Sequence, residues 1–574
     1  MSKAELYNGA PTSYAPAPED TYRRTSKLSN GLGKEDRYGN DVMTDGPRRL
    51  NSVGSVADDV LAAMGYTQEL VRNRSTLSVA FMSFVLASVP YGLSTTLIYP
   101  LTNGGPSTVI WGWCLVCALM LCVAISLGEI TSVYPTAGGV YFQTYMLSPR
   151  WCRKLAAWMT GWCFVLGNMI ITLSVNFGTT LFLIGCINIF RGEPYLDVVT
   201  NEMTTDGIFV TEPYMIYLIF IAVTFVCTAI SALLNKHLPL IDTLTVGFTF
   251  VGVLAIIICG LAIAAEGRRS ASYAFGHFEV LSGWNPPGWA FCIGLLHAAY
   301  ATSATGMVVS MCEEVQKPAE QVPKALVGAL VLNWACGFIF LVPLMFVLPD
   351  LVAVTTDPTG QPLPAILGRA IGNQGGAFAL CVPIIILGFF CGTGCTTAAS
   401  RCTWAFARDG AIPGSRKLKF DTVNRKLDIP LNAMLLVVVV QLVLGVIYLG
   451  STSAFNAFNG SGVIFLTLSY VIPVAVSFCS GRKKLVGARY NFGAFGAFCN
   501  VVAMAWCAFA IPLFSMPTYL PIDAIGMNYG SVVFVFGVGV ALAWYYIWGR
   551  KNYSGPRVDE DPVAGDFSPE TSFQ

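Results

Sequence analysis

Polar residues dominate the first 73 positions; after them, long apolar stretches alternate with short polar ones almost to the end of the chain. The opening segment, rich in Ser, Pro, Gly and Asn, holds too little apolar surface to offset the entropy of folding. It is expected as a disordered tail over residues 1–73. Within it VADDVLAAMGY (Val56 to Tyr66) has apolar positions at helical spacing and predicts a short amphipathic helix on the membrane surface. No positive segment leads an apolar run at Met1, so no cleaved signal peptide is expected. The apolar stretches fall near 76–103, 108–133, 156–186, 213–234, 240–265, 287–312, 325–348, 376–404, 430–450, 454–479, 492–515 and 530–549. Each is near or above the ~20 residues a helix needs to cross a bilayer. The pattern predicts an all-α polytopic membrane protein of about twelve spanning helices, with the fourth/fifth and ninth/tenth divisions the weakest. A polar C-terminal tail follows over residues 550–574.

Loop charge sets the orientation. With the N-terminus inside, the inner loops hold Arg150, Arg153, Lys154, Arg416, Lys417, Lys419, Arg425, Lys426, Arg482, Lys483, Lys484 and Arg489, among others; the outer loops hold only Arg191, Arg268, Arg269 and Arg369. Both termini are therefore expected in the cytoplasm. Composition agrees: 54% of residues are hydrophobic and 12% charged, against about 25% charged in a soluble domain. A net charge of +1 gives no reason to expect nucleic acid. The 18 cysteines sit mostly inside apolar runs such as LVCALMLC, where Cys behaves as a small hydrophobe, and their spacing supports no metal site. With three histidines and no nucleophile–base pair, the residues do not suggest an enzyme, and no cofactor is expected. The absence of GxxxxGK[ST] argues against direct ATP drive.

Two spans look broken. SVPYGLSTT puts Pro90 and Gly92 in the middle of the first, where Pro removes a donor and Gly loosens the backbone. The sixth runs through small residues from Ala298 to Gly306 before its acidic end. Freed backbone at membrane depth is tolerated where it lines a cavity, and breaks in the first and sixth spans suit an inverted repeat of five plus five helices. The motifs SLGEITSVYPTAGGVY (Ser126 to Tyr141), AAWMTGW (Ala156 to Trp162), CEEVQKP (Cys312 to Pro318) and SRCTWAFARDGAIP (Ser400 to Pro413) follow. Over roughly residues 56–556 this combination resembles the amino acid–polyamine–organocation superfamily, in its fungal amino-acid/choline transporter branch.

The resemblance implies a LeuT-like fold: helices one to five over 74–265, helices six to ten over 266–479, and two additional helices over 480–549. It also implies a substrate site. Pro90, Tyr91 and Gly92 match the unwound part of helix one, whose amides usually meet a substrate carboxylate. Tyr300 matches the aromatic gate of helix six, and Ser303, Ala304, Thr305 and Gly306 its unwound part. Asn168, in VLGN, resembles a polar substrate contact; a helix-packing Asn is the equal alternative. Ala304-Thr305-Gly306 departs from the Gly-aromatic-Asp of many amino-acid and GABA permeases, and the ATGM…MCEE pattern is closer to fungal choline permeases.

Physical chemistry leads the same way. No acidic residue lies near the middle of any predicted span. A quaternary ammonium cannot donate a hydrogen bond, whereas tyrosine faces such as those of Tyr91 and Tyr300 attract it by ~2 kcal/mol or more when desolvated. His297, one turn before Tyr300, is a candidate for coupling or, more simply, a neutral ring bonded to a carbonyl. Glu129 either titrates in proton coupling or bridges to an inner arginine, and Arg401 is a candidate for the inner gate. The expected activity is import of choline or a related cationic compound such as ethanolamine across the plasma membrane, driven by membrane potential, protons or both. A permease for GABA or another amino acid is the alternative, and a transporter-like nutrient sensor a third. The tail, with Lys3, Lys27 and Lys34, offers sites to ubiquitination machinery.

Overall fold

The computed structural model describes residues 61–556 apart from 63, 71, 73, 191–194, 197–202, 205–211, 358–359, 451–453, 486–487 and 523–526. Most of the expected tails lies outside the described residues; of the expected surface helix over 56–66, Leu61, Ala62, Met64, Gly65 and Tyr66 are described. The expectation of a disordered tail is corrected where Leu61, Tyr66 and Leu70 are buried, as is the C-terminal tail boundary, since span twelve runs to Asn552 and Tyr553 is buried.

Twelve helices among the described residues are long and apolar enough to cross a bilayer. In chain order they are Leu77–Thr102, Gly105–Val133, Arg153–Phe190, Pro213–Leu233, Asn235–Ile263, Pro287–Glu314, Pro318–Phe346, Gln374–Arg408, Leu431–Gly450, Phe455–Cys479, Gly493–Leu513 and Gly530–Asn552. Number and order match the hydropathy pattern. The largest shift of a boundary is at span seven, which begins at Pro318 rather than near 325. Its first turn is polar and so invisible to an apolar pattern, yet proline is preorganised for a helix start and Glu320 suits the positive N-terminal end. Spans four and five are divided by the 3-10 turn Asn235–His237. A feature the pattern did not suggest is a small antiparallel pairing of Tyr195–Leu196 with Met203–Thr204, between spans three and four.

Burial separates core helices from lipid-facing ones. The most apolar windows of spans six, three and one are 94%, 83% and 78% buried, against 11% for span twelve and 33% for spans four and five. Val535, Phe536 and Ile547 accordingly project outward from span twelve. This is the polarity of a membrane protein, in which Leu and Phe gain nothing by avoiding lipid.

Span one is broken in its middle. Thr76–Ala87 ends at Ser88, whose φ of 38° and ψ of 54° are left-handed, and a second helix covers Val89–Thr95. For a non-glycine residue that conformation costs about 1–2 kcal/mol. Pro90 supplies the reason: it has no N–H for the Leu86 carbonyl four residues back, and its ring would collide with that carbonyl in a continuous helix. The freed Leu86 oxygen instead accepts from the Cys391 thiol at 3.4 Å and faces the Cys395 thiol at 3.9 Å, both on span eight. Span six changes form without unwinding. Leu296–Ser303 is α-helical and Ala304–Glu314 continues as a 3-10 helix, far longer than the three or four residues typical of that form. The expectation of unwound residues from Ser303 to Gly306 is thus corrected to a tightened helix. Close packing explains the glycine there: a Cβ on Gly306 would lie 2.5 Å from the Tyr470 ring.

Candidate functional site

A small pocket lies where the two altered helices meet, lined by Leu86, Ala87, Tyr91 and Gly92 of span one, Ile171 and Val175 of span three, Tyr300, Ala301, Ser303 and Ala304 of span six, and Cys391 of span eight. None of these lining residues is charged. Gly92 lets the helices touch, since a Cβ there would lie 3.2 Å from that of Ala301. The Tyr91 hydroxyl donates to the Val175 carbonyl at 2.7 Å and accepts from Thr179 at 2.9 Å. Tyr300 is 5% exposed, with its hydroxyl 3.4 Å from that of Ser174. Tyr470 fixes the far side by donating to the Ser303 carbonyl at 3.1 Å.

Five of the residues predicted for the substrate site therefore come together: Tyr91, Gly92, Tyr300, Ser303 and Ala304. Pro90, Asn168, Thr305 and Gly306 are not among the lining residues. Asn168 donates to the Phe164 carbonyl one turn back at 2.7 Å, the packing alternative. Thr305 is likewise bonded within its own helix, to the Thr302 carbonyl. The amides of Tyr91 and Gly92, expected to be free, both donate to the Ser88 carbonyl, at 2.9 and 3.0 Å. The break lies one step earlier than the motif suggested, because the proline disrupts the turn preceding it. Sequence reasoning missed Leu86, Ala87, Ile171, Val175, Ala301 and Cys391 as lining residues; apolar positions on four different spans carry no local signal.

His297 Nε2 lies 2.9 Å from the Leu93 carbonyl of span one. A carbonyl only accepts, so Nε2 carries the proton, and the ring ties the two altered helices together. Glu129 is fully buried, bonded to Arg482 at 2.7 Å and to the Phe492 amide at 2.7 Å.

The family-like motifs converge on a second, strongly charged region, at the end of the helices where Arg74 enters span one. Arg74 bonds Asp242 at 2.9 Å and Glu314 at 3.2 Å; Glu314 also bonds Arg401 at 2.8 Å, and Arg401 reaches Asn235 at 2.9 Å. Arg74 also pairs through its backbone with the end of span six, donating to the Glu314 carbonyl and accepting from the Gln316 amide. Beside it, Glu313 forms a two-pronged pair with Arg408 and accepts from the Ala137 amide of the PTAGG loop. Asp409 accepts from Tyr66 and, at 2.8 Å, from Tyr141, while the Arg408 guanidinium lies 4.2 Å over the Tyr66 ring. Burial pushes the Tyr66 phenol well above its usual value, and the neighbouring Asp409 carboxylate adds to the rise. Burial by itself would lower the Arg74 guanidinium, but Asp242 and Glu314 outweigh it and raise it. Arg401 thus joins Arg74, Asp242 and Glu314 in one ion-paired cluster that ties the segment just before span one to spans five, six and eight.

The sequence profile of the amino acid permease family matches residues 75–541. The chain is 28% identical to the choline transporter of Saccharomyces cerevisiae, over 94% of this chain and 93% of that protein. It is also 28% identical to the polyamine transporter TPO5 of the same yeast, over 89% and 81%, and to the amino-acid permease BAT1 of Arabidopsis thaliana, over 86% and 95%.

Proposed function

This chain belongs to the amino acid permease family, whose members are multi-pass membrane transporters and not enzymes, and from that premise we propose that it imports choline or a related cationic nitrogen compound such as ethanolamine. The observation that carries this reading is the pocket with two tyrosine rings and no charged lining residue. An ammonium stripped of water needs compensation, and cation–π attraction provides ~2 kcal/mol or more without a carboxylate. A polyamine would bring several charges into the same uncharged space, and an amino acid would bring a carboxylate that finds the Tyr91 and Gly92 amides already bonded. An amino-acid permease remains the second reading, favoured by the breadth of the relatives.

Transport proceeds by alternating access, with spans one to five (74–265) and six to ten (266–479) as inverted repeats and residues 480–549 outside them. Both termini are cytoplasmic, which makes the Arg74–Asp242–Glu314–Arg401 cluster the inner gate of a plasma-membrane carrier. The membrane potential drives a monovalent cation inward by ~2.3 kcal/mol per 100 mV, with or without protons. The test is radiolabelled choline uptake in cells lacking their own carrier, comparing this chain with Tyr300→Ala. Saturable uptake that disappears in the variant supports the reading. Failure of folded, surface-located wild-type protein to take up choline overturns it in favour of an amino-acid substrate.

A further inference from the structure

Several loop cations at the end of the bundle where Arg74 lies are paired. Lys236 meets Asp428 at 3.8 Å, Arg482 meets Glu129 at 2.7 Å, and Arg489 meets Glu320. One corner is an exception. Arg150, Arg153 and Lys154 around the start of span three, and Lys483 and Lys484 after span ten, belong to no ion pair among the described residues.

Two of these cations are brought together by the helix Gly139–Leu147, which follows the PTAGG loop. Lys484 Nζ donates to the Met146 carbonyl in the last turn of that helix. The Arg153 guanidinium lies 4.8 Å over the ring of the neighbouring Tyr145. The C-terminal turn of a helix attracts a cation, but a second one beside it meets repulsion. Partial burial pushes the Lys484 ammonium below its usual value, and the Arg153 guanidinium adds to the fall. An anion between the two would relieve both, and Lys484 is exposed at the surface to receive one.

The neighbourhood narrows the kind of anion. Trp151, two residues before Arg153, is 88% exposed, and tryptophan at the end of a spanning helix marks the level of lipid headgroups. The cytoplasmic leaflet is the one that carries anionic lipids, and basic clusters beside spanning helices attract them.

We propose that Arg153 and Lys484 form a headgroup site for an anionic phospholipid of the cytoplasmic leaflet, with Arg150, Lys154 and Lys483 adding longer-range attraction. The helix 139–147 carries this site near one end and the PTAGG loop at the other, where the Ala137 amide donates to Glu313 at 3.3 Å. A bound headgroup therefore braces the loop that holds the charged cluster. The inference rests on the reading that places this end in the cytoplasm, and not on the identity of the substrate.

The test is thermal unfolding of the full chain in detergent, titrated with phosphatidylserine or phosphatidylcholine. Phosphatidylserine should stabilise the wild type at concentrations where phosphatidylcholine does not. In the double variant Arg153→Gln, Lys484→Gln the concentration needed should rise about thirtyfold, a factor of about five for each cation. Arg150→Gln with Lys154→Gln removes the same charge away from the helix end and should shift it less. Equal responses of the wild type to the two lipids overturn the proposal. Equal shifts in the two double variants overturn it too, because they show diffuse attraction without a site. So does equal stabilisation by inorganic phosphate, which would show that no lipid is required. If phosphatidylserine acts only after residues 557–574 are removed, the acidic Asp559, Glu560 and Asp561 of the chain itself are the occupant, and the lipid site falls. Detergent offers lipid to both ends of the bundle, so a wrong assignment of the cytoplasmic side would leave this binding unchanged.

Discussion

Spans one, six and eight pass through two buried regions that treat charge in opposite ways. At the Arg74 end they bury Arg74, Glu313, Glu314, Arg401 and Arg408, each held by an oppositely charged partner. Around the pocket the same helices contribute rings, hydroxyls, a thiol and backbone carbonyls, with no charged lining residue. A buried ion cluster is severely penalised when only one partner is removed, yet adds little over a hydrophobic isostere when complete. It therefore favours two arrangements, closed and dry or open and wet, and disfavours those between. A neutral pocket does something else. Its lining offers rings, hydroxyls and a thiol, and no ion pair has to form or break there. One region is built to be all or nothing, the other to be discriminating.

The sharpest way to break this contrast is at Glu314, which two guanidinium groups share. Glu314→Ala leaves Arg74 and Arg401 buried against each other, and a broken buried pair costs about 3–5 kcal/mol. Thermal unfolding of purified protein in detergent should show a larger loss than any single substitution at the pocket. A shift worth less than ~1 kcal/mol would mean that water already reaches the cluster. The pocket should answer differently. Tyr300→Leu removes the π face and should raise the KM for choline about 30-fold, the equivalent of ~2 kcal/mol. Tyr300→Phe keeps the ring and loses one hydrogen bond, about tenfold or less. Equal effects in the two variants would show that the hydroxyl, and not the ring, holds the substrate.

These two regions were not equally legible in the amino-acid sequence. Twelve spans follow from hydropathy because lipid demands a continuous apolar helix, and that demand is written locally. The break in span one was visible as Pro90, but its position was not: proline acts on the carbonyl four residues back, so the left-handed residue is Ser88. The long 3-10 segment of span six left no mark beyond small residues, since its form comes from packing against Tyr470 and span eight. Tyr91 and Tyr300 could be carried over from motifs. Ser174, Asn459 and Cys391 could not, because a hydroxyl, an amide or a thiol in a spanning helix is usually bonded to its own helix, and only geometry separates the exceptions. The charged motifs read most easily of all, and they turn out to gather at the Arg74 end more than at the pocket.

The smallest predicted effect tests whether burial, and not charge, makes that end a lock. Asn235 and Lys236 are neighbours in the chain. The neutral Asn235 bonds the fully buried Arg401 guanidinium at 2.9 Å and donates to the Asp428 carbonyl at 3.0 Å. The charged Lys236 pairs with Asp428 at 3.8 Å, but its side chain is 64% exposed and that of Asp428 31%. Loss of a hydrogen bond to a buried ion costs about 1.5–3 kcal/mol, so Asn235→Ala should be plainly destabilising by thermal unfolding. An exposed ion pair contributes about 0–1 kcal/mol and is screened by salt, so Lys236→Ala should sit at the low end of that range and vanish at high ionic strength. If the lysine proved the costlier of the two, surface electrostatics would be closing this end, and the distinction drawn between a dry lock and a neutral pocket would lose its basis.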